Sequence, residues 1–166
     1  MADFQTKVSA PARGAPGQLI NPDSLVTTAL NYISDGGLEP GCFAFSEAPI
    51  EDRDMSYAYK SKSGGQLLGI VVRTATSAFE LPTHSAAKVY HRGASVTIAA
   101  RGQIEAEVPE GQTPTQGQAV LCDPATGEVT YGNKGDPNDT GWHVIFFHGQ
   151  ASASEGDLVI YENLGG

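Results

Sequence analysis

The sequence predicts an all-β fold, mainly antiparallel: a single β-sandwich or small β-barrel, jelly-roll or tulip-like in form, carrying an extended N-terminal arm. Three observations lead there. The 166 residues include 20 glycines and 10 prolines, and from Leu38 onward turn residues bound short apolar runs every eight to twelve positions or so, the spacing of a sandwich or barrel. Hydrophobic residues make up 40% and charged residues only 17%, a balance that folds rather than stays disordered. The runs also alternate with the period of a strand: Val96, Ile98 and Ala100 share one side, Ile104, Ala106 and Val108 do the same after Gly102, and Glu105 and Glu107 point the other way. A chain of this length supports one sizeable core.

Residues 1–24 read as the arm and residues 25–166 as the β-rich globular domain. The first stretch, MADFQTKVSAPARGAPGQLINPDS, carries Pro11, Pro16 and Pro22, many small residues, and Lys7 and Arg13 as its basic groups. It has too little apolar area to fold alone. Phe4 and Val8 are the large apolar side chains near its start. LVTTALNYISD, from Leu25, is ambiguous: Asn21-Pro22 suits a helix start with Leu25, Ala29 and Ile33 on one face, but Val26, Thr27, Thr28, Tyr32 and Ile33 favour strands. Extended structure with at most a single turn is the expectation. GCFAFSEA follows the Pro40-Gly41 turn as a strand. Tyr57 and Tyr59 sit on one face of a short strand. QLLGIVVRT is the most apolar run and reads as a central strand. SAFELPTHSAAKVYHRG is a long connection with room for a brief helix at Ser85–Val89. SVTIAARGQIEAEV supplies two short strands or one bent at Gly102, since a glycine within a strand often marks a bulge. AVLCD and EVTYG form a hairpin across Asp123–Gly127, with Pro124 at the second position of a type I turn and Gly127 at positive φ. KGDPNDTG is a surface loop, and WHVIFFHG and DLVIYEN are the last two strands.

The totals and motifs exclude more functions than they suggest. A net charge of −9 argues against a nucleic-acid partner, which needs clustered Lys and Arg; it fits either simple solubility or a basic protein partner. No run is long and apolar enough to span a membrane, and MADFQTKVSAPARG lacks the apolar region of a signal peptide, so synthesis in the cytoplasm is expected. Cys42 and Cys122 lie in apolar surroundings and read as buried free thiols, with a disulfide left open. His143 and His148, like His84 and His91, are spaced by odd offsets that put their rings on opposite faces of a strand, which argues against a shared metal. The chain lacks GxSxG, HExxH, GxxxxGK[ST] and GxGxxG. Glu47, Glu51, Asp52 and Asp54 cluster in EAPIEDRD, but the run reads as a solvated loop rather than a glycosidase pair or calcium loop. No enzyme activity, metal or cofactor is expected.

One ordered set of segments resembles the structural cement, or capsid decoration, proteins of tailed bacteriophages. It comprises Phe4-Gln5-Thr6-Lys7-Val8, the Pro/Ala/Gly arm ending in Asn21-Pro22, the strand Gly41-Cys42-Phe43-Ala44-Phe45, GIVVR from Gly69 to Arg73, and the turn region marked by Gly117, Val120, Asp123, Thr126 and Gly127. The resemblance implies a protein on the exterior of the virion that binds the outer surface of an assembled shell and braces contacts between major capsid protein subunits. It also implies self-association as a homodimer or homotrimer on capsid symmetry axes, with no enzymatic activity and no cofactor. The arm, through Phe4, Gln5, Thr6, Lys7, Val8 and Arg13, is the expected partner-binding segment. A proline-rich arm of about twenty residues, at roughly 3 Å each, reaches on the order of 60 Å when extended, and many copies convert weak single contacts into avidity. The alternatives are a carbohydrate-binding β module of a phage surface or tail protein, which requires a row of exposed aromatics, and a small β-barrel enzyme, which requires a pocket with perturbed acids or histidines.

Overall fold

The computed structural model describes residues 14–28, 31–47, 56–73 and 89–165. Among these, the chain forms eleven strands and one short 3-10 turn. The turn, Pro22–Ser24, has Asn21 as its N-cap, whose side-chain oxygen accepts from the Asp23 amide at 3.1 Å. No longer helix follows; β-branched Val26 and Thr27 form β1 instead (Val26–Thr27). Then come β2 (Tyr32–Ser34), β3 (Phe43–Ser46), β4 (Ser56–Tyr59), β5 (Gln66–Val71), β6 (Ser95–Val96), β7 (Ile98–Glu107), β8 (Ala119–Cys122), β9 (Val129–Gly132), β10 (Asp139–Ile145) and β11 (Leu158–Asn163). The connection expected to hold a brief helix at Ser85–Val89 lies outside the described residues up to position 88.

The strands form one continuous, mainly antiparallel sheet in the order β6-β2-β4-β3-β5-β7-β11-β10-β8-β9, with β1 added to β7; β2 and β4 are the parallel pair. The sheet folds over itself at β7 into the facing layers of a sandwich. Phe43 of β3 therefore meets Tyr161 of β11 in a stacked contact with ring centroids 6.1 Å apart, although two strands separate them in the sheet. At one end the β8–β9 turn reaches the chain after β4, where the Lys62 amide donates to the Pro124 carbonyl at 2.6 Å.

The larger core lies between the layers. Phe43 and Phe45 of β3, Ile70 and Val72 of the β5 run, Val120, Trp142, Val144, Val159 and Tyr161 fill it. A smaller core lies on the outer face of the β3–β5 layer, where Ala44 and Val71 pack with Tyr32, Leu38, Tyr90, Val96 and Ile98. Strands β3 and β5 are thus buried on both faces, which explains why FAF and GIVV read as unbroken apolar runs. Two buried polar side chains inside this packing hold carbonyls: the Tyr90 hydroxyl donates to the Val72 carbonyl at 2.9 Å and Ser34 Oγ to the Tyr90 carbonyl at 3.0 Å.

Strand β7 joins the two layers, and it changes role just before Gly102. Before Gly102, Ile98 faces the smaller core and Ala99 the larger; after it, Ile104, Ala106 and Val108 face the larger core. The parity has switched. Hydrogen bonds along one edge switch with it: the Ile98 carbonyl accepts from Thr28, but beyond the glycine it is the Gln103 and Glu105 carbonyls that accept, from Ile20 and Gly17. The extra residue falls just ahead of the glycine: Thr27 stands opposite Ala99 but Val26 opposite Arg101, so the bulge is at Ala100, and from Gly102, at φ 141°, the pairing with β11 runs without a shift. SVTIAARGQIEAEV is one bent strand preceded by the short β6, not two equal ones.

The predicted hairpin forms as β8 and β9, with Asp123 accepting from the Gly127 amide at 2.7 Å and Gly127 at φ 75°. One boundary differs from the sequence reading. Strand β10 begins at Asp139, inside the expected loop, because Asp139 pairs with Leu121 and Thr140 Oγ1 donates to the buried Val120 carbonyl at 2.7 Å; Phe146 and Phe147 lie beyond its end. Close approach of β5 to β7 fixes Gly69: a Cβ there would sit 1.9 Å from the Ala99 carbonyl oxygen, and the residue holds φ 142°. Gly69→Ala is expected to lower stability by about 3 kcal/mol through strain and overpacking, read as a drop in the denaturant midpoint at unchanged slope.

Candidate functional site

The residues expected to bind a partner, Phe4, Gln5, Thr6, Lys7, Val8 and Arg13, lie outside the described residues. What the structure describes is the root of that segment. Residues 17–27 run antiparallel along one edge of β7. Gly17 donates to the Glu105 carbonyl at 2.8 Å, Glu105 donates to the Gln18 carbonyl at 2.9 Å, Ile20 donates to the Gln103 carbonyl at 3.0 Å, and Leu19 bridges Ile104. Farther along, Val26 pairs with Arg101 and Thr27 with Ala99. The free edge of the central strand is therefore covered by the N-terminal segment, the usual means of blocking edge-to-edge association.

A second set of contacts pins the root from the side. The Arg73 amide donates to the Gly17 carbonyl at 2.7 Å, and Arg73 Nε donates to the Pro16 carbonyl at 3.0 Å. Pro16-Gly17 packs directly on Pro40-Gly41, and a Cβ on Gly17 would lie 2.7 Å from Pro40 Cβ. The sequence contained a signal for this contact, two Pro-Gly pairs, but nothing that joined them.

Glu105 is the residue that sequence reasoning placed and did not interpret. Alternation points it away from Ile104, yet it is 4% exposed, and its Oε2 has no hydrogen-bond partner. Loss of water pushes its carboxyl above the ordinary glutamate range. Glu107, two positions on, is exposed. The difference is the root itself, which covers one carboxylate and stops short of the next.

Beside the root lies an open groove of about 750 Å³, with Pro16 in its wall. Glu39, Glu107, Glu110, Glu128 and Glu155 line it, against Lys60 and Arg73. Lys60 is 3.1 Å from Glu39. Among the described residues, the exposed large apolar ones are Ile20, Val26, Tyr57 and Leu164. Three of them flank one point of β7, since Ile20 bonds Gln103, Val26 pairs with Arg101, and Leu164 follows Asn163, which pairs with Gly102. Only Tyr57 among them is aromatic; it lies beside Tyr59, with centroids 6.4 Å apart. That is not the row of rings a carbohydrate platform uses.

The remaining candidates are held in structural contacts. His143 Nε2 lies 3.0 Å from Glu162, and no cluster of metal-ligating side chains occurs among the described residues. Glu47 pairs with Lys62; Glu51, Asp52 and Asp54 lie outside the described residues. Tyr131 and Tyr161 share a hydroxyl contact of 2.7 Å inside the core, where burial pushes Tyr131 up to about 12. Both cysteines are free thiols.

A family model described as "Structural cement protein (E217 gp24/Pam3 gp6)" matches residues 4–163. Among solved structures, a chain from "The capsid of Myoviridae Phage XM1" has the same fold, with a TM-score of 0.57 and 14% identity over 98% of this chain and 97% of that one. No curated protein matches the sequence.

Burial pushes the thiols of both Cys42 and Cys122 up to about 12. A thiolate, not a thiol, attacks disulfide reagents. At pH 8 the folded protein is therefore expected to leave both cysteines unmodified for hours, whereas denaturant releases two equivalents within minutes; a chromogenic thiol assay checks this directly.

Proposed function

This chain belongs to the structural cement protein family and is a non-enzymatic component of the phage virion, and we propose that it binds the outer surface of the capsid and reinforces contacts between major capsid protein subunits. The observation that carries the proposal is the extent of the family match, which begins at Phe4 and runs through the body to Asn163. The match takes in the segment with Phe4, Gln5, Thr6, Lys7, Val8 and Arg13 as well as the body, which supports a role for that segment in binding.

The physics of the described residues supports the division of labour. A sheet folded over the larger core and backed by the smaller one, with strands buried on both faces, is stiff and transmits load rather than yielding to it. Fixing the root at Gly17 and Arg73 gives the preceding residues a defined point of departure. Residues 1–13, if extended, span roughly 40 Å, enough to reach from one subunit to the next. Phe4 and Val8 supply apolar anchors, and backbone pairing along a partner strand supplies affinity without demanding a particular sequence. The body's surplus of acid, concentrated in the groove beside Pro16, suits a basic patch on the capsid. Self-association as a homodimer or homotrimer on capsid symmetry axes would multiply each weak contact.

The structure dictates where the test must cut. Removing residues through Ile20 would strip β7 of its edge and uncover Glu105, confusing lost binding with lost stability. Deleting residues 2–13 leaves the root intact. Mixed with expanded, undecorated shells of the same phage, the full-length protein is expected to co-sediment to saturation, and the deletion variant to bind at least tenfold more weakly with an unchanged melting temperature. A full-length chain that never sediments with shells overturns the proposal; equal binding by both proteins removes the arm from it.

A further inference from the structure

We propose that Glu105 is a proton-operated latch on the N-terminal root: with its carboxyl neutral, residues 14–20 seat on β7, and with it ionised they are driven off. The geometry is that of a lid on a carboxyl. A Cβ built on Gly14 would fall 1.6 Å from Glu105 Oε2, so the backbone at position 14 lies directly over the side chain. Glu105 Oε2 has no partner, and the segment that covers it brings nothing to compensate a charge, since Gly14 to Ile20 contains no ionisable side chain. The same residue's backbone accepts from Gly17 and donates to Gln18. The carboxyl and the hydrogen bonds that hold the root therefore belong to one residue.

Among the described residues, the surrounding charges do not relieve it. On β7 itself the charged groups are Arg101 and Glu107. On β11, Ile160 stands opposite Glu105, and the charged residue of that strand, Glu162, is held by Gln103 and His143. Beyond β5, Arg73 directs its Nε to the Pro16 carbonyl. A buried carboxylate without a partner is among the more costly groups a fold can hold, and lifting the root returns it to water.

Burial raises the carboxyl's pKa when the root is seated, and exposure restores the ordinary value when it lifts. Seating is therefore strongest at pH below the ordinary glutamate pKa. It weakens as pH rises toward the seated value, by up to tenfold per pH unit because one proton is released on opening, and is level beyond. Release of residues 14–20 lengthens the tether ahead of the body by on the order of 20 Å at about 3.3 Å per residue. The latch is a property of the isolated protein and stands or fails independently of capsid binding.

Amide hydrogen exchange on the full-length protein reads it. Protection factors at Gly17 and Ile20, corrected for intrinsic exchange, are expected to fall by up to tenfold per pH unit and then level, while Val144, bonded to Gln118 in the core, stays constant. In Glu105→Gln, which keeps the shape and removes the titration, protection at Gly17 and Ile20 is expected to be independent of pH. A flat profile in the wild type, or an unchanged slope in Glu105→Gln, overturns the proposal. Carbon-detected titration of the wild-type Glu105 carboxyl gives a second reading should the variant not fold: its midpoint must lie above the ordinary glutamate range, and a midpoint within that range overturns the latch.

Discussion

The period of two in a β-strand is the constraint on which this structure rests. Side chains alternate strictly between faces, so a strand that serves two cores on opposite sides of a sheet must lose step once. Strand β7 does so at Ala100, just before Gly102. Val96 and Ile98, before the glycine, and Ile104, Ala106 and Val108, after it, share the same parity in the sequence, yet the first pair belongs to the smaller core and the rest to the larger. Without the bulge, either set would be turned to the wrong side. The sheet's fold into two facing layers follows from this one change of register, because β7 pairs with β5 before it and with β11 after it.

The same strand organises the surface relevant to function. Its outer edge would be an open ladder of amides and carbonyls, and the N-terminal root occupies that edge from Gly17 to Thr27. The proposed role on a shell asks the protein to stay dispersed before it meets one and then to hold to several subunits. Covering the central edge with the chain's own segment meets the first requirement. Fixing the point from which residues 1–13 depart serves the second. Glu105 lies where these roles meet, as a carboxyl placed under the segment that blocks the edge.

Stiffness and reach are thus built from different materials. The body derives its rigidity from strands such as FAF and GIVV that are packed on both faces, and from aromatic contacts such as Phe43 with Tyr161 that tie the layers together. In the proposed role, the reach comes from the proline, alanine and glycine of the N-terminal segment, which have little side-chain entropy to lose on ordering. No catalytic constellation is required by either part, and Tyr90, Ser34 and Thr140 inside the body are engaged in holding carbonyls.

The sequence alone determined the strands that depend on local chemistry: the β8–β9 hairpin through Asp123, Pro124 and Gly127, the apolar runs around Phe43 and Ile70, the extended course after Asn21-Pro22, and the resemblance carried from Phe4 through Gly127. Each of these is written in neighbouring residues. Tertiary structure alone decided that Ile98 and Ile104 serve different cores, that β10 starts at Asp139, that Pro16-Gly17 meets Pro40-Gly41, and that Glu105 is buried while Glu107 is not. Those outcomes depend on which distant segment lies alongside. Period and propensity fix where a side chain points, but only the pairing of remote strands fixes what it meets there.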